Sequence, residues 1–351
     1  MSVFILALET SCDETSASVV ADGTEVLSNI ISSQIDVHRK FGGVVPEVAS
    51  RKHLELLNQV MGEALTAAGL TLDDLGAVAV TYGPGLVGAL LVGVSAAKAI
   101  AYGLNIPLVG VNHLEGHIYA NFLSEPGLDF PLLCLIVSGG HTDLVYMAKH
   151  GDCRVIGRTR DDAAGEAFDK VARVIGLGYP GGPLIDRLAR EGNPKAISLP
   201  RAYLEEGSLD FSFSGLKSAV IYTLQRAAQR NEEINKADLA ASFQEALIDV
   251  LVDKTFAAAQ NTGVSTILLA GGVSANSRLR LAIAERAAGS NYRMVVPPPV
   301  LCTDNAAMVA CAGYYKLLRG ATAPLTLNAV PDLKLGEERY EGNFKGKILT
   351  G

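Results

Sequence analysis

The chain has 351 residues, of which 49% are hydrophobic and 19% are charged, and it contains 36 glycines and no tryptophan. This composition excludes a disordered protein and is typical of a well-packed α/β protein, while the length predicts two lobes with a cleft between them. The net charge of −7 gives no overall field that would attract a polyanion, so composition alone does not predict nucleic-acid binding.

Two segments share a pattern of strand, polar turn and strand. The first covers residues 4–20 and the second covers residues 132–147. Each pattern predicts a β-hairpin, and their similarity predicts two related α/β lobes. We place the boundary near residue 128, so that residues 1–128 form an N-terminal lobe that includes the candidate metal-binding helix at His113 and His117 discussed below. Residues 129–351 then form a C-terminal lobe, whose last helix is a candidate to pack back on the first lobe.

Between the hairpins, periodicity predicts a helix over residues 46–68 that ends at Gly69, a strand over 77–80 and an apolar helix over 86–97. Lys98 interrupts the apolar helix well before the roughly twenty residues needed to cross a bilayer, so we expect a buried helix and no membrane association. Beyond the second hairpin, the pattern predicts a strand at residues 266–270 and helices at residues 166–175, 184–190, 215–229, 237–260, from 277 onward and 305–318.

The N-terminal apolar run has no basic flank and no cleavage site of small residues, so it predicts a strand rather than a signal peptide. The five cysteines are scattered and never form a C-x-x-C pair, which argues against a disulfide framework and against a thiolate metal site. Both features predict a protein of the reducing cytoplasm.

His113 and His117 are four residues apart, so on a helix they point the same way and could grip one metal ion. The same spacing also arises by chance on solvated helix faces, and both interpretations stay open at this point. Glu115 lies between the histidines rather than directly after the first, unlike the glutamate in the H-E-x-x-H motif of zinc proteases. At about 100° per residue it faces away from the pair, which predicts a structural role.

Asp304 is the candidate third metal ligand. It follows the rigid, proline-rich approach of residues 297–303 and comes just before the last predicted helix, so capping that helix is the alternative role, and the two roles are compatible. Two imidazoles and one carboxylate leave coordination positions open for a substrate. Nitrogen and oxygen donors without thiolate suit iron(II) or zinc.

Glycine pairs near predicted strand ends and helix starts mark three candidate anion sites, at residues 138–140, 181–182 and 271–272. Ordinary turns also use glycine, which is the alternative for each pair taken alone. None of the three fits a P-loop or a Rossmann fingerprint. The hairpin-based nucleotide clasp of the actin and sugar-kinase superfamily remains. Asp169, within a predicted helix, is a candidate acceptor of hydrogen bonds from a ribose or an amino-acid group.

Five motifs occur in the order found in a known family: FGGVVPE at residues 41–47, HLEGH at 113–117, VSGGHT at 137–142, FDK at 168–170 and GGVSAN at 271–276. On these motifs the chain resembles the bacterial TsaD family of tRNA N6-adenosine threonylcarbamoyltransferases, some of which were formerly labelled O-sialoglycoprotein endopeptidases. The match spans about residues 5–308. One departure is Phe41, where a tyrosine is common, and it lies outside the matched ligand set.

The resemblance implies a two-lobed actin-like ATPase fold, that is, an α/β fold of the ASKHA or duplicated ribonuclease H-like type with an interlobe cleft. It implies transfer of a threonylcarbamoyl group from threonylcarbamoyl-AMP to the exocyclic amine of the adenosine beside the anticodon, in tRNAs that read codons beginning with A, with release of AMP. In the family, one divalent ion, iron(II) or zinc, is held at the positions of His113, His117 and Asp304. The adenylate contacts the positions of Ile136, Val137, Ser138, Gly139, Gly140, Asp169, Gly182, Asp186 and Asn276.

The resemblance further implies that threonylcarbamoyl-AMP, ATP or ADP occupies the cleft and that tRNA is the acceptor. It implies a heterodimer with a TsaB-like paralogue and cooperation with a TsaE-like ATPase. No residue beyond the metal and substrate ligands is assigned a catalytic role. The residues alone leave two other hypotheses open: a metal-dependent endopeptidase that relies on Glu115, and a nucleotide-binding scaffold without chemistry. Candidate tRNA contacts are the basic side chains Arg51, Lys52, Lys170, Arg173, Arg201 and Lys217.

Overall fold

The computed structural model describes residues 2–340 and 342. The strands in chain order are β1 (Phe4–Glu9), β2 (Glu14–Ala21), β3 (Glu25–Ser33), β4 (Ala77–Gly83), β5 (Leu108–Asn112), β6 (Leu132–Val137), β7 (Thr142–Lys149), β8 (Asp152–Arg158), β9 (Thr266–Ala270) and β10 (Arg293–Val295). The helices are α1 (Ile35–Arg39), α2 (Pro46–Ala68), α3 (Val87–Leu104), α4 (His113–Ser124), α5 (Ala164–Val174), α6 (Gly181–Ala189), α7 (Ser214–Gln229), α8 (Lys236–Thr262), α9 (Ser277–Ala288), α10 (Pro299–Cys302) and α11 (Ala306–Leu318).

The chain forms two compact units, which are here called the first and second unit. The described parts of Met1–Leu128, Lys149–Cys153 and Val300–Gly351 make up the first unit, and Asp129–Ala148 with Arg154–Pro299 makes up the second. The first break follows Leu128, where the sequence analysis places its boundary. The described part of the C-terminal segment from Val300 belongs to the first unit, whereas the sequence predicted a C-terminal lobe of residues 129–351 with its last helix as a candidate to pack back on the first lobe.

The first unit is built on a five-stranded sheet with the order β3-β2-β1-β4-β5. β1 pairs antiparallel with β2 and parallel with β4, and β4 pairs parallel with β5. β4 and β5 are buried along their whole length, because helices cover parallel strands on both faces. The carboxyl ends of β1, β4 and β5 therefore lie side by side at one edge of the sheet.

Two helices of the first unit show how far local sequence signals determine where a helix begins and ends. α2 covers the 46–68 span expected from the sequence, with Pro46 in its first turn and Gly69 in the left-handed conformation (φ 68°) that ends it. α3 runs to Leu104, beyond the expected end at residue 97. Lys98 does not interrupt it, because its ammonium group reaches out of the helix and donates to the Leu327 carbonyl at 3.1 Å.

α3 also has the composition of a membrane span. Within residues 2–340 and 342 it is long and apolar enough to cross a bilayer, and 33% of that stretch is buried. It packs against β4 and α2. An apolar helix on the face of a sheet is the ordinary arrangement in an α/β fold.

α11 explains why the C-terminal segment belongs to the first unit. It packs against β1, β4 and α4, and Gly313 allows the close approach to β4, since a Cβ atom there would lie 2.7 Å from the Cβ of Ala79. The tip of the β7–β8 hairpin contributes His150, whose ring stacks on Tyr315 with centroids 3.9 Å apart. The Tyr119 hydroxyl lies 3.1 Å from His150 Nδ1.

The second unit repeats the architecture of the first. Its sheet has the order β10-β9-β6-β7-β8, in which β6 is antiparallel to β7 and parallel to β9. The correspondence places β6 and β7 where β1 and β2 stand in the first unit. Its core lies between this sheet and helices α5 and α8, where Phe168 and Phe243 meet edge to face with centroids 5.4 Å apart.

Candidate metal centre and anion-binding turns

α4 carries both candidate histidines at the edge of the first sheet. Asn112, the last residue of β5, caps the helix by accepting hydrogen bonds from the backbone of Leu114 and Glu115 at 2.9 and 3.4 Å. The cap starts α4 at His113, so both histidines lie within its first two turns. His113 is 9% exposed and His117 is 1% exposed, and their ring centroids are 4.6 Å apart.

Asp304 meets these histidines although it is far from them in sequence. Its Oδ1 atom lies 3.5 Å from His113 Nε2 and 3.2 Å from His117 Nε2. Asp304 is not the cap of the following helix, because Asn305 fills that role by accepting a hydrogen bond from the Met308 backbone at 3.0 Å. The capping alternative for Asp304 was wrong by one residue.

The geometry of the three side chains suits a cation. One donor atom from each lies within 4.8 Å of the others. Two ligands held about 2.0–2.2 Å from one ion lie roughly 3–3.5 Å apart, which is the separation of the Asp304 oxygen from both imidazoles. Neither ring nitrogen of His117 has a hydrogen-bond partner within residues 2–340 and 342. A buried imidazole without a hydrogen bond, facing a carboxylate, is the arrangement that a metal ion completes.

The electrostatics of the centre favour positive charge. Burial opposes protonation of His113, but the nearby carboxylates of Asp304 and Glu9 outweigh it and raise the pKa of His113 to about 9. Glu14 shows the cost of a further negative charge, since burial and the charges of Asp304 and Asp13 raise its pKa to about 10. A divalent ion between the histidines and Asp304 would neutralise this surplus.

Glu115 lies away from the cluster, as its helical position predicts. Its carboxylate is 3.7 Å from the ammonium group of Lys316 on α11, and both side chains are buried. Lys316 also pairs with Glu338 at 2.7 Å. The observed contact of Glu115 is therefore an ion pair that joins α4 to the C-terminal segment.

In the second unit, the turn between β6 and β7 presents open backbone. The Ser138 amide donates to the His141 carbonyl at 2.8 Å, which closes the turn. Among the described residues, neither Gly139 nor Gly140 gives its backbone N–H to a partner. A Cβ atom on either glycine would meet nothing within 4 Å, so a ligand can approach both amides.

Two further glycines allow neighbouring segments to pack against this turn. A side chain at Gly165, in the first turn of α5, would collide with the backbone of Gly139 at 2.8 Å. Gly271 has a φ of 86° and a virtual Cβ only 2.5 Å from the Val137 carbonyl oxygen. The start of α5 and the turn after β9 therefore lie directly against the end of β6, which gathers two of the three glycine sites.

The third glycine site joins them through Asp169. The Gly181 amide donates to Asp169 Oδ1 at 2.6 Å, and a Cβ on Gly181 would lie 2.6 Å from the Asp169 Cα. Gly182 follows in the first turn of α6, where helix geometry leaves backbone N–H groups without intrahelical partners. Ile136 and Val137 are fully buried strand residues.

Asp186 and Asn276 hold elements of the second unit together. Asp186 accepts from the Ser277 hydroxyl at 2.8 Å and pairs with Arg190 at 3.1 Å. The Asn276 amide oxygen caps α9 by accepting from the Leu279 backbone at 3.0 Å, and its nitrogen donates to Gln244 at 2.7 Å. The structural contacts of both side chains thus occupy part of their bonding capacity and leave the rest for a ligand.

Sequence reasoning missed three residues beside these sites. Glu9 contacts His113 and Gln244 contacts Asn276 through side chains from distant segments, and Thr81 donates to Glu9. The only signal in the sequence is a polar residue at or beside the end of an apolar strand, as with Glu9 and Thr81. Most of the basic side chains suggested as tRNA contacts already pair with carboxylates, as Lys170 and Lys217 do with Asp162.

Comparisons with known proteins place the chain in a family. Residues 25–311 match the family described as "TsaD: tRNA N6-adenosine threonylcarbamoyltransferase". The chain is 62% identical over 331 residues to the tRNA N6-adenosine threonylcarbamoyltransferase of Moorella thermoacetica, covering 94% of this chain and 97% of that protein. The protein of the same name from Symbiobacterium thermophilum is 61% identical over 332 residues, covering 95% and 97%.

Solved structures show the fold. HypF from T. kodakarensis aligns with a TM-score of 0.64 at 15% identity, covering 91% of this chain and 48% of that chain. The Acidaminococcus fermentans (R)-2-hydroxyglutaryl-CoA dehydratase component A aligns with a TM-score of 0.52 at 14% identity, covering 91% and 99%. These likenesses confirm the actin-like ATPase fold expected from the sequence. The family match and the sequence relatives show that the chain belongs to the TsaD family of tRNA N6-adenosine threonylcarbamoyltransferases.

Proposed function

We propose that this chain transfers a threonylcarbamoyl group from threonylcarbamoyl-AMP to the exocyclic amine of the adenosine beside the anticodon, in tRNAs that read codons beginning with A. The N6–carbonyl bond forms while the bond from that carbonyl to the phosphate oxygen breaks, the amine loses one proton, and AMP leaves. The observation that carries the proposal is the 62% identity with a transferase of this name over nearly the whole chain.

The second unit offers the groups that an adenylate needs. The unpaired backbone N–H groups of Gly139, Gly140 and Gly182 suit a phosphate, because amides at turns and helix starts stabilise anions. The Ser138 hydroxyl can donate beside them. Asp169, Asp186 and Asn276 supply acceptors and donors for the nucleoside, whether the bound molecule is threonylcarbamoyl-AMP, ATP or ADP. These contacts fix the leaving group so that the carbonyl meets the incoming amine in one orientation.

The first unit offers a metal centre. His113, His117 and Asp304 would hold one divalent ion, with iron(II) first and zinc second, since the donors are two nitrogens and an oxygen. When bound, the ion supplies Lewis-acid polarisation of a carbonyl oxygen. Glu9 and Asn112 keep the histidines in place, the former through His113 and the latter through the helix cap.

We further propose that the chain acts in the cytoplasm, in a heterodimer with a TsaB-like paralogue and with a TsaE-like ATPase. An exposed apolar face supports a docked partner: Val87 and Leu91 on α3 are 53% and 41% exposed, and Leu54 on α2 is 68% exposed. Because the chain carries a net charge of −7, tRNA affinity is expected to depend on associated proteins.

The deciding experiment is reconstitution followed by nucleoside analysis of the tRNA. The purified chain is combined with the presumed partners, ATP, threonine, bicarbonate, a precursor synthase and unmodified tRNA. The wild-type chain is expected to form threonylcarbamoyladenosine, and His113→Ala is expected to abolish it. Glu115→Gln is the matched variant on the same helix and should keep most activity, because its ion pair is structural. Peptide hydrolysis that depends on Glu115 would instead support the endopeptidase, which the family relationship does not favour.

A further inference from the structure

Glu9 is a buried carboxylate that has no place in the ligand set expected from the sequence. It ends β1 and is 0% exposed, and its Oε2 atom lies 3.0 Å from His113 Nδ1. The other ring nitrogen of His113, Nε2, faces Asp304. A single imidazole therefore connects the Glu9 carboxylate to the position proposed for the metal.

The surroundings of Glu9 decide which nitrogen of His113 carries the proton. The Thr81 hydroxyl donates to Glu9 Oε2 at 2.7 Å, and the Ser11 backbone N–H donates to Oε1. A carboxylate held by donors can only accept, so the nitrogen that faces it is an N–H. With the proton on Nδ1, the lone pair of Nε2 is left for a metal ion.

The sheet fixes this arrangement. Glu9 stands at the end of β1, Thr81 lies on the neighbouring strand β4, and His113 follows β5, which pairs with β4. Three adjacent strands with known register therefore set the distance from the carboxylate to the imidazole. Rigid strands hold such a contact more accurately than loops do.

We propose that Glu9 is a positioning residue for the metal centre, which holds His113 in its Nδ1-protonated form and aims Nε2 at the ion. This inference rests on the metal site proposed above. Carboxylate partners of metal-bound histidines typically contribute about 10- to 100-fold in metal affinity or activity. A comparable share of the affinity is expected from Glu9.

The first test is the substitution Glu9→Gln, measured as the affinity of the purified metal-free chain for Co²⁺ and Zn²⁺ in competition with a chelator. The amide keeps the size of the carboxylate, but its NH2 group replaces one acceptor oxygen. That NH2 group must then point at another N–H donor, either His113 Nδ1 or the Ser11 backbone amide. We expect affinity about 10- to 100-fold lower. Ser11→Ala is the control, because it removes the hydroxyl 3.1 Å from His113 Nδ1 and keeps the carboxylate; a change below about 3-fold is expected.

Equal metal affinity of Glu9→Gln and wild type overturns the inference. His113→Ala distinguishes this result from a failure of the proposed metal site. If His113→Ala and Glu9→Gln both bind metal normally, the metal site itself is wrong. If only His113→Ala loses metal binding, the result refutes only the role of Glu9.

A second measurement uses the wild-type chain and does not depend on the folding of Glu9→Gln. Nitrogen-15 spectra of the zinc-loaded, histidine-labelled chain, assigned with His113→Ala, show which ring nitrogen is protonated. A proton on Nδ1 and zinc on Nε2 are expected for His113. The reverse assignment overturns the proposal.

Discussion

The two units share a strand order but use the same hairpin differently. In the first unit the segment after β1 is buried, and Glu9 and Ser11 turn their polar groups inward to other side chains. In the second unit the equivalent turn after β6 is exposed at Gly139 and Gly140, which keep their backbone N–H groups unpaired among the described residues. The turn of the first unit thus presents side-chain groups, whereas the turn of the second unit presents backbone N–H groups that a ligand can reach.

The difference teaches that a duplicated fold fixes where a site lies but not what it binds. In each unit the first strand of the hairpin pairs with a parallel strand, β1 with β4 and β6 with β9, so the carboxyl ends of these strands lie at the same edge of the sheet. Histidines and a carboxylate at that edge make a candidate cation centre, whereas glycines make a candidate anion site. Function follows the residues at the edge rather than the topology.

The largest expected effect separates the two sites. His117→Ala removes one of three ligands, so metal affinity should fall more than about 100-fold, which exceeds the effect of losing a supporting carboxylate. ADP affinity should change less than about 3-fold, because His117 lies on α4 of the first unit and the open amides lie in the β6–β7 turn of the second. Metal titration and calorimetric ADP titration of the same preparation measure both. A similar loss of ADP affinity in His117→Ala would show that the two sites are not independent.

A smaller effect is expected in the backbone-based site. Gly271→Ala places a Cβ against the Val137 carbonyl at a position with φ of 86°, so the free energy of unfolding should fall by about 1–3 kcal/mol. Gly272→Ala is the matched control, since its Cβ enters open space, and a change within about 0.5 kcal/mol is expected. Denaturant unfolding measures both variants. Equal stability of the two variants would contradict the close packing on β6.

Asn276 allows capping and ligand contact to be told apart. Asn276→Ala removes the cap of α9 and should lower the free energy of unfolding by about 0.5–2 kcal/mol. Asn276→Asp keeps the capping oxygen but loses the amide that donates to Gln244 at 2.7 Å, so its stability should lie between that of Asn276→Ala and that of the wild type. If the amide also contacts the nucleotide, the Asp variant should bind ADP more weakly. Wild-type ADP affinity in the Asp variant would limit Asn276 to its structural role.

The smallest effect concerns the tip of the β7–β8 hairpin. Burial and the nearby charge of Arg319 lower the pKa of His150 to about 4, below its ordinary value of 6.5. The unfolded chain therefore binds more protons between these values, so stability is complete above pH 6.5 and is lost as the pH falls towards 4. Between pH 7.5 and 5 the wild-type melting temperature should drop more than that of His150→Phe. Equal drops by calorimetry would show that His150 titrates normally.

Local signals in the sequence predicted the regular elements well. Pro46 and Gly69 bound α2, and the apolar run at Thr266–Ala270 is β9, because these signals act within a few residues. The predicted end of α3 at residue 97 was wrong, because the Lys98 side chain extends away from the helix while the helical backbone continues to Leu104. β3, β5, β8 and β10 were missed. The residues of β3 are only partly buried and mostly polar, so it lacks a clear alternation.

The candidate sites were partly predictable for a similar reason. The histidine pair is local to one helix and is visible as spacing. The role of Glu9 depends on the pairing of β1, β4 and β5 and on a contact across 104 residues, which no local pattern encodes. Asp304 was found as a candidate, but only the packing of α11 against α4 brings it to the histidines.

The distance of Asp304 along the chain has a consequence for biosynthesis. His113 and His117 leave the ribosome early, but their third ligand is translated almost two hundred residues later. A nascent chain cannot complete the centre until α11 has been made and has packed on the sheet. Products truncated before residue 304 would therefore carry both histidines without the third candidate ligand.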